Sequence, residues 1–178
     1  MERQTRFDDL IVDGRPGAKA MVAAAQTFLR DGRVGFLTIH GGYGNGKSTL
    51  LKAIVNDCIE HCVDVRYVTM TEVMVYAREA FDSEQRGDTD YGRIARIAST
   101  PVLIIDEVEK ARVTEYAREV QTHLFDVRYR RSHELGTVVA WNGEFDALDL
   151  PWVRSRLSQF PVVHNQDRDM RPLLGGLT

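Results

Sequence analysis

The stretch that most constrains this chain is His40 to Leu51, HGGYGNGKSTLL. Gly41, Gly46, Lys47 and Ser48 fit the pattern G-x-x-x-x-G-K-[ST], a phosphate loop that works only between a buried strand and the start of a helix. Both flanks meet that demand. Val34 to His40 is a continuous apolar run suited to a strand covered on both faces. Lys47 to His61 carries Leu50, Leu51, Ile54, Val55 and Cys58 at helical spacing. Glycines let the backbone N–H groups of the loop turn inward around phosphates, and the helix N-terminus adds the positive end of its dipole. The candidate phosphate-binding residues are therefore Gly41, Gly42, Tyr43, Gly44, Asn45, Gly46, Lys47, Ser48 and Thr49. Lys47 is expected at the β and γ phosphates and Ser48 at a Mg²⁺ ion, which makes ATP with Mg²⁺ the expected cofactor.

The remaining segments alternate between strand and helix patterns. Pro16 to Gly32 reads as a helix with proline at its start and glycine at its stop. DVRYVTM, from Asp64, reads as a second strand, and Thr69 or Thr71 is placed to cap the helix TEVMVYAREAF. After the polar break SEQRGDTD a further helix is expected to Ala98. Pro101 to Asp106 is the most apolar strand, Glu115 to His133 a long helix, and TVVAW another buried strand. Leu150 to Phe160 reads as a proline-started helix before a short strand, PVVH. This alternation predicts an α/β fold, a parallel five-stranded sheet flanked by helices. The length of 178 residues and the 43% hydrophobic content suit one domain: an N-terminal segment and helix (1–33), a phosphate-loop core (34–164) and a tail (165–178).

A second half of the site is expected at VLIIDE, where Asp106 and Glu107 end a buried strand, the place where ligands of open α/β sheets collect. Asp106 would help hold Mg²⁺, and Glu107 would act as general base toward a water. Asn142, just past TVVAW, is placed to offer that water or the γ-phosphate a hydrogen bond. It is equally readable as a turn residue before Gly143. Cys58 and Cys62, with His61 between them, lack the ligand set of a closed zinc site and are expected as buried helix residues.

Other classes are disfavoured by what the chain does not contain. GKSTLL alone resembles a transporter ATPase, but no LSGGQ-like signature precedes the acidic strand. No N-K-x-D segment marks a GTPase, and the acid pair suits activation of water rather than a small-molecule acceptor. A net charge of −3, with 23 Lys+Arg against 26 Asp+Glu, advertises no basic half for nucleic acid, so any such contact must be a local patch. With no apolar run near the length of a membrane span and a polar N-terminus, the expectation is a cytoplasmic protein with no membrane partner.

Read in order, RFDDL, VTMTEVMVYAREAF, VLIIDEVEK, DVRYRRSHELGTVVAWN and SRL resemble the AAA+ ATPase core of the DnaC-type helicase loaders and the related IstB transposition helpers, with little or no lid domain. The resemblance implies that Asn142 is a sensor, with Arg128 and Tyr129 in the segment leading to it. It implies that Arg156, in SRL, is an arginine finger offered to a neighbouring subunit, so that function needs a homo-oligomer. Arg154 and Arg156, two apart on a helix, diverge and cannot serve one phosphate together. DRDMRP is similar to a C-terminal sensor, with Arg171 a closer match than Arg168. Catalysis would then rest on Glu107, Lys47, Asn142 and Arg156, with a replicative helicase or a transposase as partner. Single-stranded DNA is a further partner the resemblance implies, with Arg86, Tyr91, Arg93 and Arg96 as candidate contacts.

Overall fold

The computed structural model describes residues 5–81, 90–110 and 114–170. Its elements run α1 (Pro16–Arg30), β1 (Gly35–Gly41), α2 (Lys47–Glu60), β2 (Val65–Thr69), α3 (Met70–Phe81) and α4 (Asp90–Ala98). They continue with β3 (Val102–Asp106), α5 (Glu115–Arg130), β4 (Gly136–Asn142), α6 (Pro151–Leu157) and β5 (Val162–Asn165). All five strands are parallel, in the order β2-β3-β4-β1-β5. The predicted parallel five-stranded α/β sheet is thus the observed one.

Alternation along the central strands sorts the core into two layers. Leu37, Ile39, Ile104, Val138 and Ala140 face α1 and α2, whereas Phe36, Leu103, Ile105, Val139 and Trp141 face the side of α3 to α6. Because side-chain direction has period two, the same parity carries forward to the strand ends. Gly41, Asp106 and Asn142 continue the α1/α2 face, and His40 and Trp141 the opposite one. Strand order supplies the rest: β4 lies between β1 and β3, so the phosphate loop, the acid pair and Asn142 end on three neighbouring strands.

Several element ends differ from the sequence expectation. α2 stops at Glu60, so Cys62 lies beyond the helix, exposed and with φ of 57°, while Cys58 alone is buried. The pairing of both cysteines on one buried helical face is therefore corrected; the backbone reverses at His61 and Cys62 to reach β2. α5 ends at Arg130 rather than His133, and α6 at Leu157 rather than Phe160. Thr69 is the residue that caps α3: its hydroxyl accepts from the Glu72 N–H at 3.2 Å while Glu72 Oε2 accepts from the Thr69 N–H at 2.7 Å. No helix among the described residues is long and apolar enough to cross a membrane.

Candidate active site at the ends of the central strands

The loop after β1 depends on conformations that only glycine adopts cheaply. Gly41 has φ of 139° and lies so close to the Asn165 carbonyl that a Cβ could not fit. Gly44, with φ of 64°, lies against the Asp169 carboxylate, a side chain that can shift, so its demand for glycine rests on the backbone angle. The loop is also held from outside. Asn45 Nδ2 donates to the Asn165 carbonyl at 2.9 Å and Asn165 Nδ2 donates back to the Asn45 carbonyl at 3.0 Å, both side chains being fully buried. Arg15 adds a bond to the Asn45 carbonyl at 3.0 Å.

Lys47, also buried, curls over the loop. Its Nζ donates to the carbonyls of Gly42 at 2.6 Å and Gly41 at 3.2 Å and to Asn45 Oδ1 at 3.1 Å. Ser48 Oγ donates to Asp106 Oδ2 at 2.9 Å, across the end of β4. The same carboxylate oxygen accepts from Tyr67 OH at 2.7 Å, and Asp106 Oδ1 accepts from the Glu107 N–H at 2.8 Å. Burial first, then the hydrogen bond to Asp106, pushes the Tyr67 phenol well above its ordinary range, so Tyr67 is a permanent donor near neutral pH.

Glu107 sits in the left-handed region, with φ of 55°, a conformation uncommon for a residue with a side chain and one that clusters at functional sites. Its carboxylate is paired with Lys110 Nζ at 2.5 Å. This contact raises the Lys110 pKa. Asn142 Nδ2 donates to Glu109 Oε1 at 2.6 Å. Both groups expected to handle water are therefore engaged within the chain.

These residues line one pocket of about 750 Å³, which takes in Tyr43 to Thr49, Asp106, Glu107 and Asn142. Leu10, Ile11, Ala18, Met21 and Met170 add apolar lining, interspersed with Asp9 and Arg15. A volume of this size with both polar and apolar lining suits a nucleotide. Arg156 is elsewhere: on α6 its guanidinium bonds Asp126 Oδ1 at 2.9 Å and stacks over the Tyr129 and Trp152 rings, 4.8 and 4.7 Å from their centroids. Arg154 diverges from it to bond Asp146. Arg128 is fully buried beneath the sheet. Arg171 and Arg86 lie outside the described residues, as do the side chains of Tyr91 and Arg93, while Arg96 is exposed on α4.

Tyr67, Arg15, Lys110, Glu109 and Asn165 were not singled out from sequence. Tyr67 reaches Asp106 because β2 pairs with β3, Thr69 opposite Asp106. Arg15 and Asn165 reach the loop because α1 and β5 pack beside β1. Only the spacing of Glu107 and Lys110, one helical turn apart, offered a local signal.

The chain matches the bacterial DnaA ATPase domain over residues 1–139. A comparison with curated protein sequences gives no match. Among solved structures, the replication initiator DnaA bound to AMPPCP and single-stranded DNA is similar at a TM-score of 0.80, with 19% identity over 94% of this chain and 51% of that one. Domain III of the Thermotoga maritima replication initiation protein DnaA matches at 0.73, with 26% identity over 95% and 70%. A DnaC helicase loader matches at 0.76, with 15% identity over 91% and 97%. The chain spans about half the length of the first of these initiators. The loader likeness shows the fold alone, whereas the sequence match covers most of this chain. The chain belongs to the bacterial DnaA ATPase domain family, within the AAA+ P-loop class.

Proposed function

We propose that this chain is a single cytoplasmic AAA+ domain that binds ATP with Mg²⁺ and hydrolyses it slowly while acting on DNA during replication, in the manner of a helicase loader. One observation carries the reading: Lys47 and Ser48, Asp106 and Glu107, and Asn142 meet in one nucleotide-sized pocket. The donors fit the cofactor. Lys47 Nζ holds three oxygens that phosphate oxygens can replace. Ser48 and Asp106 form a hard oxygen pair of the kind Mg²⁺ takes, with Tyr67 orienting the carboxylate. Mg²⁺ bound with ATP would neutralise charge on the phosphates. Glu107, once released from Lys110, takes a proton from water, and Asn142, released from Glu109, orients that water or the γ-phosphate.

Arg156 cannot serve its own pocket from α6 and is assigned to a neighbouring subunit's γ-phosphate, which requires a homo-oligomer. Arg171 is assigned as the nucleotide sensor of the tail. The partner is a replicative helicase, with a transposase as the variant that an IstB-like role would demand. Single-stranded DNA is the nucleic acid assigned, as it is the ligand of the DnaA structure similar to this chain.

Phosphate release and nucleotide binding test the reading together. Wild type should turn over slowly, Lys47→Ala should neither bind nor hydrolyse, and Glu107→Gln should bind without hydrolysing. Hydrolysis by Glu107→Gln at the wild-type rate would remove Glu107 as the base. A second reading, an adaptor switched by ATP binding with hydrolysis incidental, is favoured by the pairing of Glu107 and Asn142 within the chain. Undetectable turnover together with ATP-dependent co-purification of a helicase would select it.

A further inference from the structure

The face of the sheet opposite the nucleotide pocket carries a second cluster. His40 at the end of β1 and His164 on β5 are direct register partners, their rings stacked with centroids 4.3 Å apart. Gly143 turns the chain after β4 back over β1, its N–H donating to the Gly41 carbonyl at 3.0 Å, and this brings Glu144 alongside. Each of the three residues offers one ligand atom, and these atoms all lie within 4.8 Å of one another.

We propose that His40, His164 and Glu144 form a site for a borderline divalent cation of the zinc class, separate from the nucleotide's magnesium. Two imidazoles and a carboxylate are a ligand set that zinc uses with a fourth position left open, whereas magnesium prefers oxygen ligands throughout. A bond on Nδ1 orients each ring: His40 Nδ1 donates to the Gly143 carbonyl at 3.1 Å, and Gln166 Nε2 donates to His164 Nδ1 at 3.2 Å. The first bond leaves His40 Nε2 for a metal, whereas His164 ligates through Nε2 once the Gln166 amide turns its oxygen toward Nδ1. His164 Nε2 already stands 3.7 Å from Glu144 Oε1. This is near the ~3.4 Å ligand separation of a tetrahedral site with ~2.1 Å bonds. Closure asks the stacked rings to turn so that their Nε2 atoms converge, while Glu144, three-quarters exposed, follows. The site joins β1, β4 and β5 directly behind Gly41, where the phosphate loop begins.

Equilibrium dialysis of the nucleotide-free full chain against zinc, in excess Mg²⁺, tests this, with visible absorption of the cobalt-substituted protein reporting the geometry. One zinc per chain, a tetrahedral cobalt spectrum and a raised Tm are expected. His164→Gln and the surface variant Glu144→Gln should each weaken binding by more than about tenfold. Cys62→Ser and Lys47→Ala should bind zinc as wild type does. Lack of saturable binding, unchanged affinity in both Glu144→Gln and His164→Gln, or loss of zinc from Lys47→Ala or Cys62→Ser would each overturn the proposal.

Discussion

At the residue scale the site turns on a few side chains whose partners set their chemistry. Asp106 accepts from Ser48, Tyr67 and the Glu107 N–H, so its two oxygens are aimed before any nucleotide arrives. Tyr67 keeps its proton because its phenol is buried against that carboxylate. The raised pKa has a defined consequence for stability. A group whose folded value lies above its unfolded value of 10.0 contributes below pH 10.0 and loses that contribution as pH rises beyond it. Urea unfolding at a series of alkaline pH values should show stability falling above that point, with a shallower fall in Tyr67→Phe. Tyr67→Phe should also weaken the Mg²⁺ dependence of ATP binding, since Asp106 loses its fixed orientation; titrating Mg²⁺ with a fluorescent ATP analogue measures this.

At the scale of elements, two tethers hold the sheet and loop in place. Arg128 lies fully buried on α5 and reaches five oxygens: Thr137 Oγ1 and the carbonyls of Ala98, Thr100, Pro101 and Gly136. It clamps the starting ends of β3 and β4, opposite the active site. None of those partners is a carboxylate, and burial pushes its pKa down to about 10, which leaves it charged at neutral pH. Arg128→Met keeps the bulk but strands several buried carbonyls, so a loss of about 3 kcal/mol or more in urea unfolding is expected. At the other end Asp167 accepts from the N–H groups of Gly17 and Ala18, at 3.0 and 2.7 Å, and caps the start of α1 from across the fold. Asp167→Ala should cost about 1 kcal/mol, the usual value of a lost helix cap, read as a lower Tm. Arg128 was legible in the sequence only as part of the segment leading to Asn142, and its clamp on two strands came from the tertiary structure. Asp167 was not, because its partners are about 150 positions away in sequence and nothing local marks it.

At the scale of the whole molecule the trans assignment proposed for Arg156 can be tested. Arg156 is ion-paired with Asp126 and stacked between Tyr129 and Trp152, and it is not among the residues that line the pocket. An arginine finger acting in trans is worth on the order of a thousandfold in turnover. Arg156→Ala should therefore reduce phosphate release steeply, and mixing it with Lys47→Ala should restore part of the activity, because each variant supplies what the other lacks. Failure of the mixture to recover any activity would remove the trans assignment.

By itself the sequence determined the class of fold and the two nucleotide motifs, because both rest on short-range patterns. Glycine spacing between a buried run and an amphipathic helix, and an acid pair closing an apolar strand, are local facts. Tertiary structure alone decided what those motifs touch. The order β2-β3-β4-β1-β5 puts Asn142, at the end of β4, between the strands that end in Gly41 and Asp106, lets Tyr67 reach the Asp106 carboxylate, and sets His40 beside His164. Strand order and register are long-range pairings, and no window of sequence contains both partners.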